Sequence, residues 1–151
     1  MTLKNLKNEL ELAVKAAKDS GNFLLKNKKE LNIQIDSNPK DTKLEADIAS
    51  EDLIKEVITS NSEYPILAEE SGKSVNDLGD IFWVIDPLDG TANFNRGIPI
   101  CCVSIGLVKD MKPILGVIYD FNNNDLYAGN NMQNTATLNY RNISVSDINK
   151  K

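Results

Sequence analysis

Residues 83–94 read Trp83-Val84-Ile85-Asp86-Pro87-Leu88-Asp89-Gly90-Thr91-Ala92-Asn93-Phe94, and this stretch decides how the rest of the sequence is interpreted. A short apolar run is followed at once by two aspartates, with a proline between them and Gly-Thr behind them. The end of a strand holds side chains at fixed positions over a site, a proline stiffens the turn, and a glycine lets the backbone approach a ligand closely. The stretch therefore predicts a functional turn at the end of a buried strand.

Two other segments also bring acids to the end of a strand or the start of a helix. Residues 66–72 form an apolar run that ends in two adjacent glutamates, and residues 41–47 place an aspartate where a helix begins. Taken singly, acids at such positions are more often solvated turn residues than ligands. Three such segments in one chain favour a site, and the acids that would meet there are Asp47, Glu69, Asp86 and Asp89.

Carboxylates gathered at one place repel one another at neutral pH unless cations neutralise them. Ligands that are all oxygen select magnesium, manganese or calcium over zinc. The chain contains no histidine, which excludes a Ser-His-Asp triad, an HExxH zinc site and any imidazole acid or base within it. A catalyst built from these residues therefore relies on carboxylates, hydroxyls, lysines and bound metal.

Composition and charge argue against some classes of binding partner for this protein. The net charge of −5 and the isoelectric point near 4.8 argue against broad binding of nucleic acid, which needs a concentrated positive surface. No apolar run approaches the roughly 20 residues of a membrane helix, and residues 1–10 lack the apolar centre of a signal peptide. We therefore expect a cytoplasmic protein that binds neither nucleic acid nor membrane. Cys101 and Cys102 lack metal-binding or redox spacing and are predicted to be buried core thiols.

The spacing of apolar residues predicts an α+β domain over residues 1–151. Apolar residues recur at helical spacing over residues 3–17, and a second helical pattern follows Asp47, with Glu51 among its exposed acids. Short apolar runs then predict strands, at residues 66–68, 81–85, 100–108, 114–119 and 126–128. Short connections between the later strands predict a largely antiparallel sheet with the two N-terminal helices packed on one face.

These segments also carry a family resemblance. Glu69-Glu70-Ser71 together with residues 83–94 resembles the two N-terminal signatures of the inositol monophosphatase family, which are magnesium-dependent, lithium-sensitive phosphatases. Residues 103–107 and 116–120 resemble the strands that follow in that family, and residues 139–146 resemble the hairpin that closes its first domain. The resemblance implies that residues 1–151 are the N-terminal, metal-binding α+β domain of the sugar-phosphatase fold. It also implies a Mg²⁺ cofactor, a small phosphorylated substrate and a homodimer.

The resemblance further implies which residues would bind metal. Glu69 would bind the first metal ion and Asp86 would bridge two metal ions. The Leu88 carbonyl would complete the first site, and Asp89 would bind the second ion. Glu70 is a less certain neighbour of these ligands.

Other residues would bind the substrate and activate water. Backbone N–H groups of Gly90 and Thr91 would bind the phosphate, and the Thr91 hydroxyl, paired with Asp47, would orient and help deprotonate the attacking water. The reaction would be an in-line attack on phosphorus without a phosphoenzyme. The residues expected to surround the substrate are Glu69, Leu88, Asp89, Gly90 and Thr91.

The chain also departs from the family pattern. The family has a C-terminal α/β domain, which supplies another aspartate in a Trp-Asp context and most contacts to the alcohol. We expect this domain to be absent here, since the sole tryptophan is Trp83. Lys43-Leu44 stands where the family usually has Val-Thr. We therefore expect low activity from this chain alone. A truncated, noncatalytic half-enzyme acting as an interaction or dimerisation module is the alternative.

Two other classes fit the sequence less well. A haloacid-dehalogenase phosphatase separates its two acids by one residue and uses the first as a nucleophile, whereas here Pro87 and Leu88 separate them. A calcium-binding EF-hand needs acids at alternate positions and a final glutamate, which residues 86–97 do not supply.

Overall fold

Two long helices form one layer of the molecule. The structure is a computed structural model and describes residues 3–38 and 41–145. Its helices are α1 (Leu3–Lys26), α2 (Lys28–Leu31), α3 (Glu45–Thr59) and α4 (Thr91–Arg96). Helix α1 continues through Gly21 without a break, and α3 begins two residues before Asp47. Both long helices were predicted from their apolar periodicity, and both are confirmed.

The strands form a hairpin and one large sheet. They are β1 (Gln34–Asn38), β2 (Asp41–Leu44), β3 (Ile66–Ala68), β4 (Gly72–Lys73), β5 (Ile81–Asp89), β6 (Cys102–Lys109), β7 (Lys112–Asp120), β8 (Asp125–Asn130), β9 (Thr135–Leu138) and β10 (Arg141–Asn142). β1 pairs with β2, and the remaining strands lie in the order β10-β9-β8-β7-β6-β5-β3-β4. Neighbours in the large sheet are antiparallel, except that β3 and β5 run parallel. The predicted α+β fold with a largely antiparallel sheet is thus confirmed.

The core lies between the two long helices and one face of the sheet. Alternate residues of a strand point to opposite faces, so Trp83 and Ile85 of β5 are buried while Val84 between them is 36% exposed. Helix α1 presents Ala13 and Ala17, both fully buried, toward this core. The opposite face of the sheet carries no described helix.

The strand that delivers Asp86 is longer than predicted. β5 continues past Ile85 to Asp89, and its pairing with β6 is irregular, because Asp86 pairs with Ser104 and Asp89 pairs with Cys102. One extra residue on β5 at this point is a β-bulge, a feature that re-aims side chains near sites. Pro87 lies within it and cannot donate a ladder hydrogen bond.

Several local predictions are wrong or incomplete. Glu51 was expected on the exposed face of its helix but is only 2% exposed. Cys101 is buried as predicted, whereas Cys102 is only partly buried and lies beside a carboxylate. The closing hairpin is β9 with β10 and starts earlier than residue 139, and Ser146 lies outside the described residues.

No helix in the described part of the chain is long and apolar enough to cross a membrane.

Gly21 allows α1 to approach the sheet closely. A Cβ at this position would lie 2.6 Å from Cδ1 of Tyr119 and 2.8 Å from Cβ of Phe121. We therefore expect Gly21→Ala to destabilise the chain by about 1–3 kcal/mol through overpacking, although alanine is the better helix former by roughly 0.5–1 kcal/mol. Urea denaturation measures this, with exposed Lys26→Ala as the control. A stabilised Gly21→Ala variant would contradict the close packing.

Candidate metal and phosphate site

Two carboxyl groups meet where β3 and β5 end. Because these strands run parallel, with Ala68 opposite Ile85, the residues that follow them emerge at the same place. The N–H of Glu69 donates to the carbonyl of Ile85 at 3.1 Å, which extends the pairing by one step. The side chains of Glu69 and Asp86 lie within hydrogen-bonding reach of each other, and this contact acts to raise the pKa of Glu69 and to lower that of Asp86.

The pKa values of this pair reflect mutual repulsion and loss of water. Desolvation raises the pKa of Glu69 to about 7, together with the hydrogen bond to Asp86 and the charges of Asp86, Glu70 and Asp47. The pKa of Asp86 is also raised, chiefly by desolvation and further by the charge of Asp89. A bound cation would relieve the repulsion between two carboxyl groups placed this closely.

The bulge in β5 is held by its own side chains and by the helices. The N–H of Leu88 donates to Oδ1 of Asp86 at 3.2 Å. The Ser50 hydroxyl donates to the carbonyl of Pro87 at 2.7 Å and lies 2.6 Å from the Ser20 hydroxyl, and both serines are fully buried. Two helices therefore fix the backbone of the turn from beneath.

Asp89 ends the bulge and lies near Cys102. Sγ of Cys102 lies 3.6 Å from Oδ2 of Asp89 and donates to it. Desolvation and the negative charge of Asp89 raise the pKa of Cys102 to about 12. The thiol therefore remains protonated and acts as a hydrogen-bond donor to Asp89.

Thr91 and Asp47 form a second polar pair beside the first. The Thr91 hydroxyl lies 2.7 Å from Oδ1 of Asp47 and 3.0 Å from the Leu88 carbonyl, and its single proton can be given to either. The other carboxylate oxygen of Asp47 accepts the N–H of Leu44 at 2.6 Å. This backbone donor holds Asp47 even though position 44 lacks a hydroxyl. Burial raises the pKa of Asp47, against the lowering effect of these hydrogen bonds.

Gly90 joins the bulge to α4 in a conformation that favours glycine. Its φ is +90°, and a Cβ there would lie 2.7 Å from the carbonyl oxygen of Ile100. Both the backbone angle and the close contact therefore disfavour a larger residue at the position where the site turns into the helix.

One face of α3 holds all three acid-bearing segments together. Asp47 binds Thr91 and Ser50 binds Pro87, as described above. Glu51 accepts the N–H of Glu70 at 2.8 Å and the N–H of Ser71 at 3.2 Å. These three helix residues lie at positions i, i+3 and i+4, which share a helix face, and each is at most 2% exposed. Sequence reasoning missed Ser50 and Glu51, and their spacing from Asp47 was the signal that could have found them.

The donor chemistry of Glu69 and Asp86 fits a hard divalent cation. Within residues 3–38 and 41–145, no group of three or more aspartate, glutamate or cysteine side chains is placed to hold a metal ion. The four acids named from the sequence therefore do not form one closed cluster. Glu69 pairs with Asp86, Asp47 pairs with Thr91, and Asp89 lies beside Cys102. The first pair presents only oxygen donors, and such donors suit Mg²⁺.

Comparison with known proteins agrees with this fold. Residues 5–150 match the inositol monophosphatase family, and the chain belongs to that family. It is 40% identical over 144 residues to Nus factor SuhB of Xylella fastidiosa, covering 93% of this chain and 51% of that protein. It is 35% identical over 146 residues to inositol monophosphatase 1 of Solanum lycopersicum, covering 94% and 53%.

Solved structures show the same architecture. The inositol monophosphatase from Anabaena (Nostoc) sp. PCC 7120 superposes with a TM-score of 0.78 at 38% identity, covering 95% of this chain and 52% of that one. The chain thus spans about half the length of the curated relatives and solved structures it matches.

Proposed function

We propose that this chain is the metal-binding part of a Mg²⁺-dependent phosphatase that hydrolyses a small phosphomonoester, such as an inositol phosphate or a related sugar phosphate. The main observation behind this proposal is that Glu69 and Asp86 lie together where the parallel strands β3 and β5 end. The Thr91–Asp47 pair lies next to them. Membership of the inositol monophosphatase family supports phosphatase chemistry.

The metal ligands in this proposal come from β3, β5 and the bulge. Glu69 and Asp86 would hold one ion with the Leu88 carbonyl, and Asp86 and Asp89 would hold a second. Bound Mg²⁺ would neutralise charge on the phosphoryl oxygens and lower the pKa of a bound water. The hydrogen bond from Cys102 to Asp89 leaves the other Asp89 oxygen available as a ligand.

Thr91 and Asp47 would act on the attacking water. A water held against the Thr91 oxygen can pass a proton toward it while the Thr91 hydroxyl proton moves to Oδ1 of Asp47, 2.7 Å away. The raised pKa of Asp47 makes this carboxylate a better base near neutral pH. The Gly90 and Thr91 N–H groups would bind the phosphate, since they lie where the chain enters α4 and N–H groups at such a place favour anions.

The site is open, which supports the expectation of low activity from this chain alone. Glu69 and Asp89 are exposed, and Asp86 borders an apolar groove on the helix-free face of the sheet. Water is therefore not excluded, and charges in contact with water stabilise a transition state less than enclosed charges do. A wall over this face, supplied by further polypeptide, would raise the rate.

A phosphate-release screen tests the proposal. We expect slow, Mg²⁺-dependent release from myo-inositol 1-phosphate, fructose bisphosphate or histidinol phosphate by this chain. We expect faster release from any longer product of the same gene, with inhibition by lithium. Asp86→Asn is the control for contaminating phosphatase. A rate from the pure 151-residue chain equal to that of a longer product would contradict the expected low activity. No Mg²⁺-dependent release by either form would refute the proposed activity.

The alternative is a noncatalytic module that associates with a second copy of itself. Ile118 and Tyr127 pair across β7 and β8 on the helix-free face and are 45% and 40% exposed, and exposed apolar faces favour association. One relative is named Nus factor SuhB, a name that states no enzymatic activity. Absence of phosphate release combined with concentration-dependent dimerisation in light scattering would favour this alternative. Cytoplasmic location, lithium sensitivity and a homodimer stay predictions from the sequence.

A further inference from the structure

We propose that Lys43 is a resident counter-cation of the candidate site, a positioning residue that keeps Glu70 out of the metal-ligand set. The inference rests on the proposed Mg²⁺ chemistry and deepens it. Two adjacent glutamates follow β3, and the sequence alone does not determine which of them faces a cation. The ion pair between Lys43 and Glu70 supplies that distinction.

The geometry separates the two glutamates. Glu69 continues the pairing of β3 with β5 and turns its carboxyl group to Asp86. Glu70 is turned the other way, because its N–H is held by Glu51 and its carboxylate is bound by the ammonium group of Lys43. The side chains of Lys43 and Glu70 are 34% and 15% exposed, so the pair is partly withdrawn from water.

The charge of Lys43 acts where the acids are most crowded. The negative charge of Glu70 raises the pKa of Glu69, Asp47 and Asp86, so its field reaches every acid of both pairs. A lysine bound directly to Glu70 offsets that field without occupying the space between Glu69 and Asp86. Among the residues that the structure describes, Lys55 also lies near these acids, but it pairs with Glu51 and Asp52 of its own helix.

Lys43 therefore limits what the site can bind. With Oε2 of its carboxylate paired to the ammonium group of Lys43, Glu70 has one oxygen engaged and its negative charge offset, so it attracts a cation less strongly. Without Lys43, Glu70 becomes an unpaired carboxylate next to Glu69, and an acidic site with one more free ligand binds divalent cations more tightly, since affinity follows ligand charge.

Direct cation binding by the whole chain tests this inference. Lys43→Met removes the charge and keeps the stem, Lys43→Arg keeps the charge, and Glu70→Gln removes the partner. Mn²⁺ binding is measured by electron paramagnetic resonance of the free ion, and Mg²⁺ binding by calorimetry. We expect Lys43→Met to bind either ion about tenfold more tightly or to gain an ion, Lys43→Arg to resemble the unaltered chain, and Lys43→Met/Glu70→Gln to lose the gain.

The outcomes separate this inference from the proposed function. If the unaltered chain binds Mg²⁺ and Lys43→Met binds it equally well, Lys43 is not a counter-cation of the site, although the phosphatase proposal stands. A gain that survives in the double variant also overturns the inference, because Glu70 would not be its source. Binding by Lys43→Met alone would support the inference against the Mg²⁺ proposal for the unaltered chain. Binding by neither would overturn both.

Discussion

Replacing Asp86 by asparagine is expected to weaken Mg²⁺ binding by about 100-fold, because even residues that only support metal ligands are worth roughly 10- to 100-fold in affinity. Asp86 is the carboxylate that contacts Glu69 directly, and it also lies close enough to Asp89 to feel its charge. Asparagine keeps the Oδ1 atom that accepts the N–H of Leu88. The bulge should therefore survive the substitution, and the loss should be confined to binding.

Calorimetry with Mg²⁺ on the metal-free chain measures this effect. Asp80→Asn is a matched control, since it removes an exposed carboxylate just before the same strand. We expect the control to bind Mg²⁺ like the unaltered chain. Equal affinity in Asp86→Asn and Asp80→Asn would remove Asp86 from the metal site and take the main support from the phosphatase proposal.

The same substitution should change how stability depends on pH. The pKa of Glu69 is raised from 4.5 to about 7 on folding, so its contribution to stability is fully present below 4.5 and is lost as pH rises through about 7. The metal-free chain should therefore lose stability across that window, and Mg²⁺ should restore it at the upper end. Asp86→Asn removes the acid that contacts Glu69, so the slope should become shallower. Urea midpoints measured across the window with a chelator check this sign.

The sequence predicted the acids of the site but not how they are grouped. Asp86 and Glu69 each follow an apolar run, and a strand end is a recognisable place for a ligand. Their contact depends on β3 and β5 running parallel in a sheet that is otherwise antiparallel. No local sequence pattern predicts that these two strands are parallel, because their relative direction depends on the path of residues 69–80 between them.

Ser50 and Glu51 were missed for a different reason. Asp47, Ser50 and Glu51 share a face of α3 with the buried Ile54 and Ile58, so the helix periodicity marks all five positions. A charged residue at such a position is usually assigned to solvent, because isolated buried charges are costly. This assignment is wrong for Glu51, because two backbone N–H groups from residues 70 and 71 donate to its carboxylate. The sequence of the helix alone gives no sign of these partners.

Replacing Glu51 by alanine is expected to destabilise the chain by about 2–4 kcal/mol, because buried hydrogen bonds to a charged group are lost and their donors are left unsatisfied. The carboxylate is 2% exposed and accepts the N–H groups of Glu70 and Ser71. Lys55, 3.3 Å from Glu51, would lose that partner but keep Asp52, and it can also turn to water since it is 30% exposed. Residues 69–71 would then lose the hydrogen bonds that aim Glu69 at Asp86.

Two measurements separate a general loss of stability from a loss of positioning by Glu51. Urea denaturation should show the full cost for Glu51→Ala, a smaller cost for Glu51→Gln, which keeps one acceptor oxygen, and less than about 0.5 kcal/mol for Glu56→Ala, an exposed acid of the same helix. Mg²⁺ titration at a temperature where all variants are folded should show weaker binding by about tenfold for Glu51→Ala alone. Glu51→Gln removes the same negative charge but keeps an acceptor oxygen, so normal Mg²⁺ binding by Glu51→Gln would assign the weakening in Glu51→Ala to the loop and not to the lost charge. A Glu51→Ala variant that is destabilised yet binds Mg²⁺ normally would mean that the helix stabilises the fold without positioning the ligands.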